Sequence, residues 1–162
     1  EKKDVTPEPK EMVSTILKDI KAFNLQDRIV ITSFDWRILY EFKKQNPNIL
    51  RGFLTLQQNL GSTKKNIYEN SPWMEKQFPL EDLFLLPKII KSLEGHVWSV
   101  FYRDVTKKNI ELAHELGLAV NVWTVNRESD IIRMIEYGAD GIITDYPKKV
   151  QDICKSKNIA WF

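Results

Sequence analysis

Five times along this chain a β-branched, apolar run of strand length gives way to a helix with its own start and stop signals. The runs are Arg28–Phe34, Gly52–Leu56, His96–Phe101, Leu118–Val125 and Ala139–Asp145. They are nearly continuous in apolar character, which marks strands covered on both faces. Strands of that kind, separated by amphipathic helices, specify a parallel sheet packed under helices.

The helix boundaries are equally readable. Before the first strand, Pro9 opens a helix through Phe23, with Met12, Ile16, Ile20 and Phe23 on one stripe. Asp35 can cap the next helix, through Asn46, and Pro47 stops it. Gln57 to Phe78 is a long polar stretch with Gly61, Asn66, Asn70 and Pro72. A loop of that length in a compact domain is functional or mobile. Pro79 can open a helix to about Glu94, with Pro87 kinking or splitting it and Gly95 as its C-terminal cap. Thr106 caps a helix through Leu116, ended by Gly117. Asn126 caps one through Tyr137, closed by Gly138, and Pro147 opens the last, to about Ser156.

At 162 residues the chain is long enough for one domain, 1–162, with a real hydrophobic core. Five parallel strands allow two architectures. An open five-stranded parallel α/β sheet, doubly wound, is complete at this size. A (β/α)8 barrel needs eight strands and roughly 200 residues or more. The count alone favours the open sheet. Two features favour a clipped barrel: the chain begins with a helix that has no strand before it, and Glu1-Lys2-Lys3 is charged, as at a strand end carrying site residues.

Strand faces refine the picture, because side chains alternate along a strand. Val120, Val122 and Thr124 suit packing under helices, leaving Asn121, Trp123 and Val125 on the other face. Thr32 and Phe34 share a face on the first strand. Phe34 and Trp123 are therefore either ordinary core aromatics or the apolar wall of one pocket at the end of the strands where sites form.

Composition excludes some classes and leaves others open. A net charge of +2 gives no strong preference for nucleic acid or a membrane surface. Lys148, Lys149, Lys155 and Lys157 read as a solvated helix face. No apolar run approaches the roughly 20 residues that span a bilayer, so stable membrane insertion is not expected. The one cysteine, Cys154, cannot form an internal disulfide and reads as a small apolar residue on the last helix. A free thiol leans toward a reducing, cytoplasmic compartment, with a secreted or periplasmic one left open. The chain starts at Glu1 rather than Met, which suggests that something upstream was removed, cleaved or left out.

The chemistry-bearing motifs are mostly negative. Neither GxGxxG nor GxxxxGK[ST] occurs, and there is no HExxH, paired-cysteine or GxSxG pattern. His96 opens a strand and His114 lies mid-helix, so both read as structural. Asp35 and Asp145 follow strand C-termini, where they serve better as helix N-caps than as site carboxylates. Glu1 and Lys3, two apart on a strand end, would point the same way: the carboxylate suits a hard divalent cation and the ammonium a phosphate oxygen. The plain alternative for both is solvated terminal charge.

Four ordered blocks then carry a family resemblance. Ser33-Phe34-Asp35-Trp36 followed by Gly52-Phe53-Leu54-Thr55, then Trp98-Ser99 with Tyr102-Arg103-Asp104-Val105-Thr106, then Val122-Trp123-Thr124-Val125-Asn126, then Gly138 through Pro147 resemble the glycerophosphodiester phosphodiesterases. The resemblance implies a (β/α)8 TIM barrel in which this chain supplies strands four to eight, with strands one to three missing. It implies hydrolysis of a small-molecule glycerophosphodiester to an alcohol and glycerol 3-phosphate with a divalent cation, Ca2+ or Mg2+. By the family's Glu-x-Lys motif it gives Glu1 a metal role and Lys3 a phosphate-side role, and it makes Trp123, with Phe34, a substrate-pocket wall. Val100 stands where the family often has proline. The family's catalytic histidines, the arginine beside the first, and two metal carboxylates have no counterpart here, so the chain alone is expected to be inactive. Three readings compete: a complete ligand-binding α/β domain, a barrel holding phosphate at the loops that Asn126 and Asp145 begin, and a degenerate family member kept as a binding module.

Overall fold

The computed structural model describes residues 8–74 and 83–160. Helix α1 (Pro9–Ala22) precedes β1 (Val30–Ser33), α2 (Trp36–Gln45) and β2 (Leu50–Thr55). A 3-10 turn (Leu83–Leu85) leads into α3 (Leu86–Ser92), then β3 (Val97–Phe101), α4 (Lys107–Glu115), β4 (Ala119–Trp123), α5 (Glu128–Tyr137), β5 (Gly141–Ile142) and α6 (Pro147–Ser156).

All four strand pairings are parallel, and the sheet runs β1-β2-β3-β4-β5 in chain order. That order decides between the two architectures. A doubly wound sheet reverses direction at a switch point so that helices cover both faces. A sequential order has no reversal, and right-handed crossovers then put every helix on one side. The architecture is that of a (β/α)8 barrel, and the described residues do not close it.

Register separates an inner face from an outer one. Thr32 pairs with Gly52, Gly52 with Val97, and Val97 with Ala119. Leu54 pairs with Ser99, Ser99 with Asn121, Asn121 with Gly141, and Phe101 with Trp123. These residues face the concave side. The alternate positions face the helices: Trp36 of α2 packs edge-on against Phe53 at 5.1 Å, and Val100, Val120 and Val122 are fully buried. Trp98 joins them and donates its indole N–H to Thr55 Oγ1 at 2.9 Å. The concave side instead leaves Val30 (41%) and Leu50 (43%) open to solvent at the N-terminal ends of β1 and β2, and Ile143 (47%) just past the end of β5. Glycine serves two close approaches on this side. A Cβ on Gly52 would sit 2.8 Å from Thr32 Cγ2, and one on Gly141 2.3 Å from Asn121 Oδ1.

Most sequence-read boundaries hold to a residue or two, and the departures have physical causes. Thr106 caps α4 in a full capping box with Asn109, and Gly117 and Gly138 take left-handed backbone at φ 71° and 87°. Pro87 lies in the first turn of α3 and starts the helix rather than kinking it. Pro79 lies outside the described residues. Gly95 is not the left-handed cap of α3: Glu94 takes that conformation, at φ 58°. Gly95 is needed for room, since a Cβ there would meet Ile90 Cγ2 at 2.5 Å and Ile90 O at 2.9 Å. On α1 the buried residues are Val13 and Ile20, which pack with Phe42 and Ile49. Phe23, placed on the apolar stripe by spacing, is 71% exposed. Cys154 is buried on α6.

Candidate active site

The C-terminal ends of the parallel strands gather the aromatic side chains of the concave side. Phe34, one residue beyond β1, meets Trp123, the last of β4, edge to face with ring centroids 5.4 Å apart. Phe101, the last of β3, packs on Trp123 at 5.1 Å and on Tyr102 at 5.0 Å. The Trp123 indole N–H donates to Ser99 O at 3.2 Å, and its backbone carbonyl accepts from Tyr102 N at 3.0 Å. Beneath this wall the Ser99 hydroxyl is buried with no hydrogen-bond partner among the described residues.

The long polar loop after β2 fastens these strand ends together. Asn66, 2% exposed, donates its amide N–H groups to Phe34 O at 3.0 Å and Leu54 O at 2.8 Å. Its Oδ1 accepts from Leu56 N at 2.8 Å. Ser71 Oγ donates to Asn66 O at 2.7 Å. Trp73 O accepts from Trp36 N at 2.8 Å. Between these anchors the tip closes on itself through reciprocal backbone bonds of 2.9 Å between Leu60 and Thr63. The loop after β3 adds one more tie: Asp104 accepts from Gln57 N at 2.9 Å and from the Gln58 side-chain amide at 3.2 Å. Burial of Asp104 raises its carboxyl above the usual range, against the lowering effect of those two hydrogen bonds. Sequence pattern marked Asn66 only as a loop former and Asp104 only within a family-like block. Nothing local to either residue signals a contact made across strands.

The carboxylates near the strand ends are already engaged. Asp35 caps α2 by accepting from Arg37 N at 3.1 Å, and it takes the Arg37 guanidinium in a fork at 2.9 and 2.7 Å. Asp145 is not a cap, because Tyr146 holds that position. Its Oδ2 accepts from Asn126 Nδ2 at 2.6 Å. Asn126 does not cap α5 either: Arg127 is the cap residue. Asn126 Oδ1 accepts from Thr144 Oγ1 and Asp145 N, both at 3.0 Å, tying the end of β4 to the end of β5. A phosphate at these loops would face the Asp145 carboxylate, which works against the phosphate-holding alternative. Lys149, exposed as expected, donates to Asn126 O at 3.0 Å and lies over the Tyr146 ring at 4.6 Å. Lys148 pairs with Asp152.

Both histidines lie at the opposite end of the sheet. His96 Nδ1 accepts from Arg51 N at 3.2 Å just before β3, and burial lowers its affinity for a proton. His114 Nε2 bonds Asp140 Oδ2 at 2.8 Å, and the same oxygen accepts from Val120 N at 2.7 Å. Arg51, also there and 2% exposed, donates to the carbonyls of Pro47, Ile49 and Glu94. Glu1 and Lys3 lie outside the described residues. Among the described residues no group of three or more His, Cys, Asp or Glu could hold a metal ion. Nor is any described helix long and apolar enough to cross a membrane.

The glycerophosphoryl diester phosphodiesterase family matches residues 1–149. A glycerophosphodiester phosphodiesterase of Caldanaerobacter subterraneus is 27% identical over 140 residues, covering 86% of this chain and 48% of that protein. A crystal structure described as a glycerophosphoryl diester phosphodiesterase of Silicibacter pomeroyi superposes with a TM-score of 0.76 at 33% identity, covering 95% of this chain and 47% of that one. An Oleispira antarctica phosphodiesterase, solved with its product sn-glycerol-3-phosphate, shares the fold with a TM-score of 0.68 at 19% identity, over 91% of this chain and 50% of that one. The chain thus spans about half the length of the relatives it matches.

Proposed function

This chain belongs to the glycerophosphoryl diester phosphodiesterase family, and on that premise we propose that it contributes the substrate-pocket wall of an enzyme cleaving glycerophosphodiesters to an alcohol and glycerol 3-phosphate. The observation that carries the reading is the Phe34–Trp123 contact at the C-terminal ends of the strands, the end at which barrels of this architecture build their sites. Such a wall packs against the carbon skeleton of the substrate and keeps water from the apolar side of the phosphodiester. It orients the ester without taking part in proton transfer.

The family resemblance calls for a divalent cation, calcium or magnesium, which would offset charge developing on phosphate oxygens. The described residues do not fit such an ion by themselves, since Asp35, Asp104 and Asp145 are each committed to other partners. Glu1 remains the proposed ligand and Lys3 the proposed phosphate partner. Proton transfer at phosphate also needs an acid and a base within hydrogen-bond reach of the reacting oxygens. Both histidines of this chain sit beyond the far end of the strands. This supports a division of labour in which the chain binds and orients substrate while acid–base groups come from other residues of the intact enzyme, leaving this chain alone inactive.

The test is release of glycerol 3-phosphate from glycerophosphodiesters by the complete protein, with calcium or magnesium supplied and then chelated. Cation-dependent release supports the reading. No release from any head-group variant under either metal rejects it in favour of a degenerate binding module.

A further inference from the structure

We infer that Asn66 is the positioning residue of the substrate wall: its side-chain amide holds Phe34 against Trp123 and so sets how tightly the glycerophosphodiester is gripped. The inference rests on the reading of Phe34 and Trp123 as that wall.

The backbone ladder between β1 and β2 ends at the pair Ser33 and Phe53. Phe34 is the next residue, beyond the reach of that ladder. At this point the Asn66 amide takes over from the backbone. Its two N–H groups bridge Phe34 O and Leu54 O, and its Oδ1 takes Leu56 N. One planar group thus fixes three backbone positions on two strands, and it is itself over-determined. Asn66 N donates to Leu56 O at 3.1 Å, and Asn66 O accepts from Ser71 Oγ. Phe34 is only partly buried, and among the described residues its ring neighbour is Trp123. Phe34 also packs at the edge of the main core, and with the ladder ended the Asn66 bond to its carbonyl fixes the backbone from which its side chain projects. No aspartate, serine or alanine can replace the double donation, because it requires two N–H groups on one rigid plane.

The consequence is a specific kinetic signature. A wall residue that binds substrate and transition state alike changes KM and leaves kcat nearly alone. A displaced wall should do the same. In the complete protein, Asn66→Asp keeps size and one acceptor while losing both donors. It is expected to raise KM for a glycerophosphodiester about tenfold with kcat within about threefold of wild type, the pattern of lost uniform apolar binding. Phe34→Ala should raise KM similarly, and the double variant should add nothing, because Asn66 acts through Phe34. A group with a purely structural role would add its effect to that of Phe34→Ala or lower kcat through loss of folded protein. If Asn66→Asp does not fold, Asn66→Ser is read in the same way. An unchanged KM in the Asn66 variant beside a raised KM in Phe34→Ala overturns the positioning role while leaving the wall intact. Additive effects in the double variant overturn it too. An unchanged KM in Phe34→Ala overturns both.

Discussion

Phe34 and Trp123 touch edge to face at 5.4 Å although two strands, β2 and β3, lie between theirs. Neighbouring strands stand about 4.8 Å apart, so three spacings in a flat sheet would separate these positions by about 14 Å. Two side chains standing perpendicular to such a sheet would not meet. They meet because the sheet curls about its concave side, turning the ends of β1 and β4 toward each other. One ring contact therefore reports the barrel curvature, and it lies where we propose that a pocket wall forms.

That contact makes Trp123 the residue whose loss should be felt first in catalysis. Trp123→Ala in the complete protein is expected to raise KM about tenfold with little change in kcat, the pattern of lost uniform binding. Removal of the buried indole should cost about 3 kcal/mol of stability, within the margin of an ordinary domain. Steady-state kinetics beside a thermal melt checks both. A KM equal to wild type in a folded variant rejects the pocket role.

Gly95 offers a test of packing alone. Gly95→Ala forces a methyl group onto the Ile90 side chain and carbonyl, and overpacking of that kind typically costs about 2 kcal/mol. Urea unfolding should show a lower midpoint with an unchanged slope. A neutral substitution would mean that the turn between α3 and β3 relaxes freely.

Asp35 caps α2 and binds the Arg37 guanidinium, which leaves it committed away from a metal. Asp35→Ala should cost about 1 kcal/mol, the usual loss of an N-cap. Asp35→Asn should retain most of that stability, because its amide oxygen can still accept from Arg37 N. Neither change should alter the calcium or magnesium concentration needed for half-maximal activity. A shift in that concentration would bring Asp35 back as a site carboxylate.

Asp104 carries a pH signature whose sign follows from its environment. Burial raises its carboxyl above the ordinary value in the folded state. Its contribution to stability is therefore full below the unfolded value, near about 4, and is lost as pH rises through the raised folded value. Asp104→Asn removes that loss. The melting temperature of the variant relative to wild type should accordingly climb between acid and neutral pH. A difference that climbs toward acid instead would show that the carboxylate is stabilised in its charged form.

Much of the architecture was legible in the sequence because its signals are local. Apolar runs such as Val120–Val122 become strands, and Thr106 with Asn109 starts a helix wherever the chain goes, since each signal acts within a few residues. The alternation of strand and helix made the sheet parallel, and the four ordered blocks around Phe34 and Trp123 carried the resemblance to the family that matches residues 1–149. Where local signals competed for one partner, the reading failed. Asn126 and Asp145 were both good caps by type, yet each found the other across two strand ends and neither caps a helix.

Tertiary structure alone decided what depends on distance through space. The count of five strands by itself favoured an open sheet over a clipped barrel, and only the sequential strand order and the curl excluded the open sheet. The roles of Asn66 and Asp104 were likewise undecided, because a loop polar residue looks alike in sequence whether it points to water or bridges two strands. Short-range propensities select helix or strand within a few residues of chain. A hydrogen bond between Asn66 and Phe34, 32 residues apart, exists only after the sheet has formed and closed the space between them.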